Sequence, residues 1–192
     1  MSDRKINTLG FVGLGVMGAP MAGHLLKSGL HVLAYNRSPG KAQAWQAGFP
    51  QGETCASLEQ LANEVDVVSL CVGNDNDVRE TVRAMLPHLK AGTVILDHTT
   101  TSSALAQEMH ALCVTHAVQF LDCPVSGGQA GAENGLLTIM CGGDEATFER
   151  VRPTLALYSQ YQRHFGASGA GQGAKMVNQI LVVNVLQGLA EG

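Results

Sequence analysis

The chain has 192 residues, 45% of them hydrophobic and 15% charged, a balance that fits a soluble globular protein with one well-cored domain and an appendage. A formal net charge of −4 leaves no basic footprint for nucleic acid, and the longest apolar run, residues 180–186, is interrupted by Asn184 and too short to span a membrane. Its five cysteines, Cys55, Cys71, Cys113, Cys123 and Cys141, form no C-x-x-C pair, so reduced thiols in a cytoplasmic compartment are expected.

In chain order, Asp3-Arg4-Lys5 precedes an apolar run that glycines soon break and that has no small-residue cleavage site, which argues against a signal peptide. A strand over residues 8–12 then leads into Gly13-Leu14-Gly15-Val16-Met17-Gly18 and a helix over 18–28. Strand, Gly-x-Gly-x-x-Gly and helix in that order are a dinucleotide-binding fingerprint. Gly13 suits a tight turn, Gly15 a close approach to pyrophosphate and Gly18 close packing of helix on strand, while the helix N-terminus offers free N–H groups to the anion. Further strands are expected at 31–35, 65–72, 93–97, 117–122, 136–141 and 161–165. Helices are expected at 38–47, 57–62, 77–86, 102–115 and 146–157, with Ser38, Ser57 and Asp144 placed to start helices and Gly29, Gly48 and Gly92 to stop them. From about residue 171 a single helical pattern runs to residue 192. Such alternation predicts an α/β, Rossmann-like, doubly wound and mostly parallel sheet, with residues 1–167 as the NAD(P)-binding domain and 168–192 as the start of a further helix.

Three segments carry chemistry. About 20 residues beyond the glycine motif, where NAD-preferring proteins place an acid, stands Asn36-Arg37-Ser38. A guanidinium there pairs with a 2′-phosphate that a carboxylate would repel, so NADP is favoured, with NAD possible. Asp122-Cys123-Pro124-Val125-Ser126-Gly127-Gly128 ends a strand in a loop whose N–H groups can converge on a carboxylate. Gly169-Ala170-Gly171-Gln172-Gly173-Ala174-Lys175-Met176-Val177-Asn178 leads into a helix on which Lys175 and Asn178 share a face. His110 and His116, six apart, fall on different helix faces, and no metal site is expected.

With these segments in order along essentially its whole length, the chain resembles the β-hydroxyacid dehydrogenase family. That family includes 3-hydroxyisobutyrate dehydrogenase and tartronate, glyoxylate and succinic semialdehyde reductases, with 6-phosphogluconate dehydrogenase more distant. The resemblance implies that Lys175 is the catalytic residue, that Ser126, Gly127, Gly128 and Asn178 hold the substrate, and that Val72, Gly73, Asn74 and Thr100 line the nicotinamide half of the cofactor cleft. It implies hydride exchange between a nicotinamide and a small carboxylate-bearing hydroxyacid or semialdehyde, with Lys175 as general acid or base. This chain departs from the family at Thr99, where serine is usual, at Ser103, where proline is common, and at Gln179, where a second asparagine often follows Asn178.

Family members continue from this helix into an all-helical domain that builds a dimer. The chain is therefore expected to be a fragment, with homo-oligomer formation through the missing part and no nucleic-acid or membrane partner. Two other classes compete: a non-catalytic dinucleotide-binding module, which has no need of Lys175 and Asn178 on one face, and an imine reductase, whose relatives generally lack a lysine at this position.

Overall fold

The computed structural model describes residues 6–192, so the Asp3-Arg4-Lys5 stretch lies outside the described residues. Six strands, β1 (Thr8–Val12), β2 (His31–Tyr35), β3 (Glu53–Thr54), β4 (Val67–Leu70), β5 (Val94–Asp97) and β6 (Gln119–Asp122), form one sheet in the order β3-β2-β1-β4-β5-β6. Every pair in it is parallel. Strands β4 and β5 are buried at every residue, the state of a parallel sheet covered on both faces, and this is why their sequences are almost wholly apolar. Alternate side chains point to opposite faces. Leu9 and Phe11 pack in one core with Met21 and Leu25 of α1 (Gly18–Lys27) and Trp45 of α2 (Pro39–Gly48). Val12 and Ile95 pack in the other, with Leu61 of α3 (Leu58–Glu64), Val78 and Val82 of α4 (Asp75–Met85) and Leu105 and Met109 of α5 (Ser103–Val114). Burying each such side chain is worth about 1.5–3 kcal/mol, which fixes strand register, because a one-residue slip would turn these residues to the wrong face.

Helix starts follow capping chemistry at most of the expected places. Ser57 accepts from the Gln60 N–H at 3.1 Å and Asp144 from the Thr147 N–H at 2.7 Å. Ser38 occupies the N-cap of α2 but makes no capping hydrogen bond.

Beyond β6 the chain leaves the expected single sheet. Segments β7 (Val125–Ser126), α6 (Gly128–Asn134), β8 (Leu137–Cys141), α7 (Glu145–Leu155) and β9 (Ser159–His164) build a second, three-stranded sheet ordered β7-β8-β9, antiparallel at its first pair and parallel at its second. The runs expected at 136–141 and 161–165 are thus strands, but in this second sheet. A reversal at the end of β6 explains the change: Asp122 and Gly142 exchange both backbone hydrogen bonds across an antiparallel bridge, and Pro124, which has no N–H to extend a ladder, accepts from the Met140 N–H. Helix α8 (Ala170–Glu191) closes the described chain.

From β1 the chain steps outward through β2 to β3, then crosses back to β4 and proceeds the other way. That reversal opens a crevice beyond the carboxyl ends of β1 and β4, the usual ligand position in such sheets.

Candidate functional site

The crevice holds a cleft of about 490 Å³ whose walls include Gly13, Gly15, Asn36, Arg37, Ser38, Val72 and Gly73. Within the glycine motif the three glycines have different jobs. A Cβ on Gly13, whose φ is +96°, would run into the Cys71 carbonyl, and one on Gly18 would meet the Gly13 carbonyl and the Phe11 ring, so these two allow the turn and the packing. A Cβ on Gly15 would meet nothing within 4 Å, so backbone there is bare toward the cleft. No side chain caps α1, whose N-cap is Met17; the Ala19 N–H donates to the Gly15 carbonyl at 3.0 Å and Pro20 has no N–H, so the Gly18 N–H and the helix dipole remain for an anion. This cradle fits a dinucleotide pyrophosphate.

Other residues expected at the cofactor take less direct positions. Leu14 is buried in the core and its N–H donates to Asn36 Oδ1 at 2.9 Å. Asn36 therefore holds the glycine loop, its Nδ2 donating to the Ser38 carbonyl at 3.1 Å. Val16 is exposed. Asn74 caps α4, accepting from the Asn76 and Asp77 N–H groups at 2.9 and 3.1 Å. Arg37 Nη1 donates to Asp77 Oδ1 at 3.0 Å, a partner that sequence reasoning missed.

A second cavity of about 510 Å³ adjoins the first, the two sharing Cys71, Val72 and Gly73. Around it stand Met17, Thr100, Ser126, Gly127, Gly128, Lys175 and Gln179. Gly127 and Gly128 have φ of +130° and +61°, a conformation glycine adopts freely, and they start α6, whose first-turn N–H groups have no intrahelical acceptor. Lys175 is only 7% exposed and makes no hydrogen bond or ion pair among the described residues; burial lowers its pKa below the ordinary lysine value. Asn178 lies toward Ser126, with Nδ2 3.5 Å from its Oγ. The structure therefore brings Lys175, Asn178 and the Ser126-Gly127-Gly128 turn together beside the cofactor cleft.

Lys175 is placed by residues whose part in the site sequence reasoning did not see. Buried Asp122 accepts from the Gly169 N–H at 2.8 Å and the Gln172 N–H at 2.9 Å, tying the start of α8 to the end of β6. Gln172, also buried, donates to the Thr99 carbonyl at 2.7 Å and accepts from the Thr101 N–H at 3.0 Å. Ser103 Oγ donates to the Gly169 carbonyl at 3.0 Å, a bond a proline could not make. The hydroxyl that Thr99 retains accepts from the Val72 N–H at 3.1 Å, fixing the loop shared by the two cavities.

Two buried groups lie beneath this region. Burial pushes Asp97 up to about 7, against hydrogen bonds from Thr99 and with help from the charges of Asp122 and Asp75; its Oδ2 has no hydrogen-bond partner among the described residues. Burial lowers His98 to about 4. Its Nδ1 lies 2.8 Å from the Cys123 carbonyl, which can only accept, so Nδ1 carries the proton and Nε2 accepts from the Tyr158 hydroxyl at 2.9 Å.

Residues 8–176 match the family model described as the NAD binding domain of 6-phosphogluconate dehydrogenase. The chain is 48% identical over 185 residues to an uncharacterized oxidoreductase of Shewanella frigidimarina, covering 95% of this chain and 63% of that protein. It is 39% identical over 189 residues to a probable 3-hydroxyisobutyrate dehydrogenase-like protein of Arabidopsis thaliana, covering 96% and 55%. Among solved structures, 3-hydroxyisobutyrate dehydrogenase of Mycobacterium tuberculosis with L-serine superposes with a TM-score of 0.88 at 36% identity, covering 93% of this chain and 60% of that one. The chain thus spans between 55% and 63% of the length of these two curated relatives. No described helix is long and apolar enough to cross a membrane.

Proposed function

The chain belongs to the family that carries the NAD binding domain of 6-phosphogluconate dehydrogenase, and on that footing we propose that it is an NAD(P)-dependent oxidoreductase interconverting a short β-hydroxyacid and its semialdehyde, with Lys175 as general acid and base and NADP as the favoured cofactor. The observation that carries this reading is Lys175, buried and unpaired among the described residues, in a cavity that adjoins the dinucleotide cleft and is lined by Ser126, Gly127 and Gly128. The L-serine in the solved relative is itself a short carboxylate with a β-hydroxyl, which supports the substrate class.

A nicotinamide, when bound, supplies or accepts the hydride. In the reducing direction Lys175 Nζ, as ammonium, gives its proton to the carbonyl oxygen as that oxygen gains charge; in the oxidising direction the neutral amine takes the hydroxyl proton. Its lowered pKa makes both forms accessible closer to neutral pH than for a free lysine, whose value is about 10.4. The amides at the start of α6 and the Ser126 hydroxyl hold the substrate carboxylate, and Asn178, beside Ser126, orients the oxygen that exchanges the proton with Lys175. Arg37 and Ser38 receive the 2′-phosphate at the far end of the cleft.

A panel of glyoxylate and the succinic, tartronate and methylmalonate semialdehydes, assayed on the protein in its natural full length with NADPH and NADH, tests the reading. Turnover of tartronate or methylmalonate semialdehyde, whose reduction gives a β-hydroxyacid, and much weaker turnover of a simple aldehyde without a carboxylate, is expected. Inactivity on both of these, or equal activity on the simple aldehyde, would overturn the substrate class.

A further inference from the structure

The adenosine end of the cofactor cleft has lips of opposite charge. Arg37 and Lys41 stand on the lip that follows β2, and Asp77 and Glu80 on the lip formed by α4. Arg37 and Asp77 meet across the opening at 3.0 Å; Arg37 is 81% exposed at its side chain, whereas Asp77 is only 21% exposed. The acid is the better anchored partner. Its N–H is held by the Asn74 side chain, and its carboxylate stands over Gly73, where a Cβ would strike Oδ2.

A guanidinium takes a phosphate best with two parallel N–H groups. Here one end of that fork is already given to a carboxylate, so a 2′-phosphate has to share Arg37 with Asp77 and sit in the field of a fixed like charge. A ribose that carries only hydroxyls meets no such repulsion. Resting on the NADP reading of Arg37 above, we propose that Asp77 is a specificity-determining residue that weakens the hold on the 2′-phosphate and so keeps NAD usable alongside NADP. The Arg37 guanidinium faces solvent at the mouth of the cleft, and like charges a few ångströms apart in a water-like medium shift an affinity by about three- to tenfold.

The test is fluorescence titration of NADPH and NADH on the parent and on Asp77→Asn, which removes the charge and keeps the shape. Asp77→Ala serves as a second variant that removes the contact altogether, and circular dichroism checks that both are folded. Both variants are expected to bind NADPH about three- to tenfold more tightly while NADH stays within about twofold. Unchanged or weaker NADPH binding, or equal changes for the two cofactors, overturns the inference. Arg37→Ala separates the premises. If it weakens NADPH selectively while the Asp77 variants leave the NADPH to NADH ratio unmoved, the inference about Asp77 falls and the NADP reading stands. If Arg37→Ala affects both cofactors alike, the NADP reading falls and the inference with it.

Discussion

Asp97 and His98 adjoin on the chain, and burial keeps both in their neutral forms over the same pH range with opposite consequences. Asp97, raised to about 7, contributes stability that is fully present below its unfolded value and is lost as pH rises through about 7. His98, lowered to about 4, contributes stability that is present above its unfolded value and is lost as pH falls toward 4. Between about pH 4.5 and 6.5 the two slopes, each about 1.4 kcal/mol per pH unit, oppose one another and largely cancel. Relative to the parent, Asp97→Asn should therefore gain stability as pH rises across that window, and His98→Asn should lose it. Urea unfolding at the two ends of the window checks both; variants that keep the parent's pH dependence would show that neither group titrates as its burial dictates. At this scale the sequence singled out Arg37 and the Ser126 turn by residue type and position and Lys175 by resemblance, and the structure sets Lys175 and that turn around one cavity and Arg37 on the wall of the other. It was silent where a residue acts by a hydrogen bond to a distant strand. Nothing local to Gln172 indicates Thr99 and Thr101, and nothing local to Asp77 indicates Arg37.

The start of α8 depends on a few polar contacts rather than on a large apolar face, because only Gly171, Gln172 and Lys175 of that helix are buried. Gln172→Ala would strand the buried Thr101 N–H and remove the donor to the Thr99 carbonyl, at a cost of about 1–3 kcal/mol for each unsatisfied group. It should lower the thermal midpoint and, in folded enzyme, reduce turnover, since Lys175 lies one helical turn further on; cofactor affinity should hold within about twofold. Unchanged turnover would show that Lys175 does not rely on this clasp. The longer elements were legible because apolar period and capping residues agree: β1 and β2 lie where the sequence put them, and Ser57 and Asp144 cap as expected. The short ones were not. Strands β3 and β7 have two residues each, too few for alternation to register, and α6 has only seven residues, two of them glycine, with no apolar helical period, so it reads as loop. Assignment of β8 and β9 to a second sheet depends on the reversal at Pro124, a tertiary choice that apolar runs alone do not encode.

Over the whole molecule, two well-filled cores contrast with a helix that carries apolar side chains into solvent. Met176, Ile180, Val183, Leu186 and Leu189 recur at near-helical spacing and are all exposed, Leu189 at 75%. Such a stripe drives association. The 192-residue chain should sediment above its monomer mass, and replacing Ile180, Val183 and Leu186 together by lysine should return it toward monomer; an equal, monomeric mass for both would remove the stripe as an interface. On the proposed reading, cofactor and chemistry fall on different elements, the dinucleotide on β1 and α1 and the proton on α8, so the two can be separated experimentally. The decisive measurement is the turnover of Lys175→Ala on the best semialdehyde at saturating NADPH, with NADPH affinity from fluorescence as its control. A fall of about 10²–10⁴-fold in kcat with affinity within about twofold is expected for loss of a general acid that leaves the cleft intact; turnover close to the parent's at unchanged affinity would contradict it.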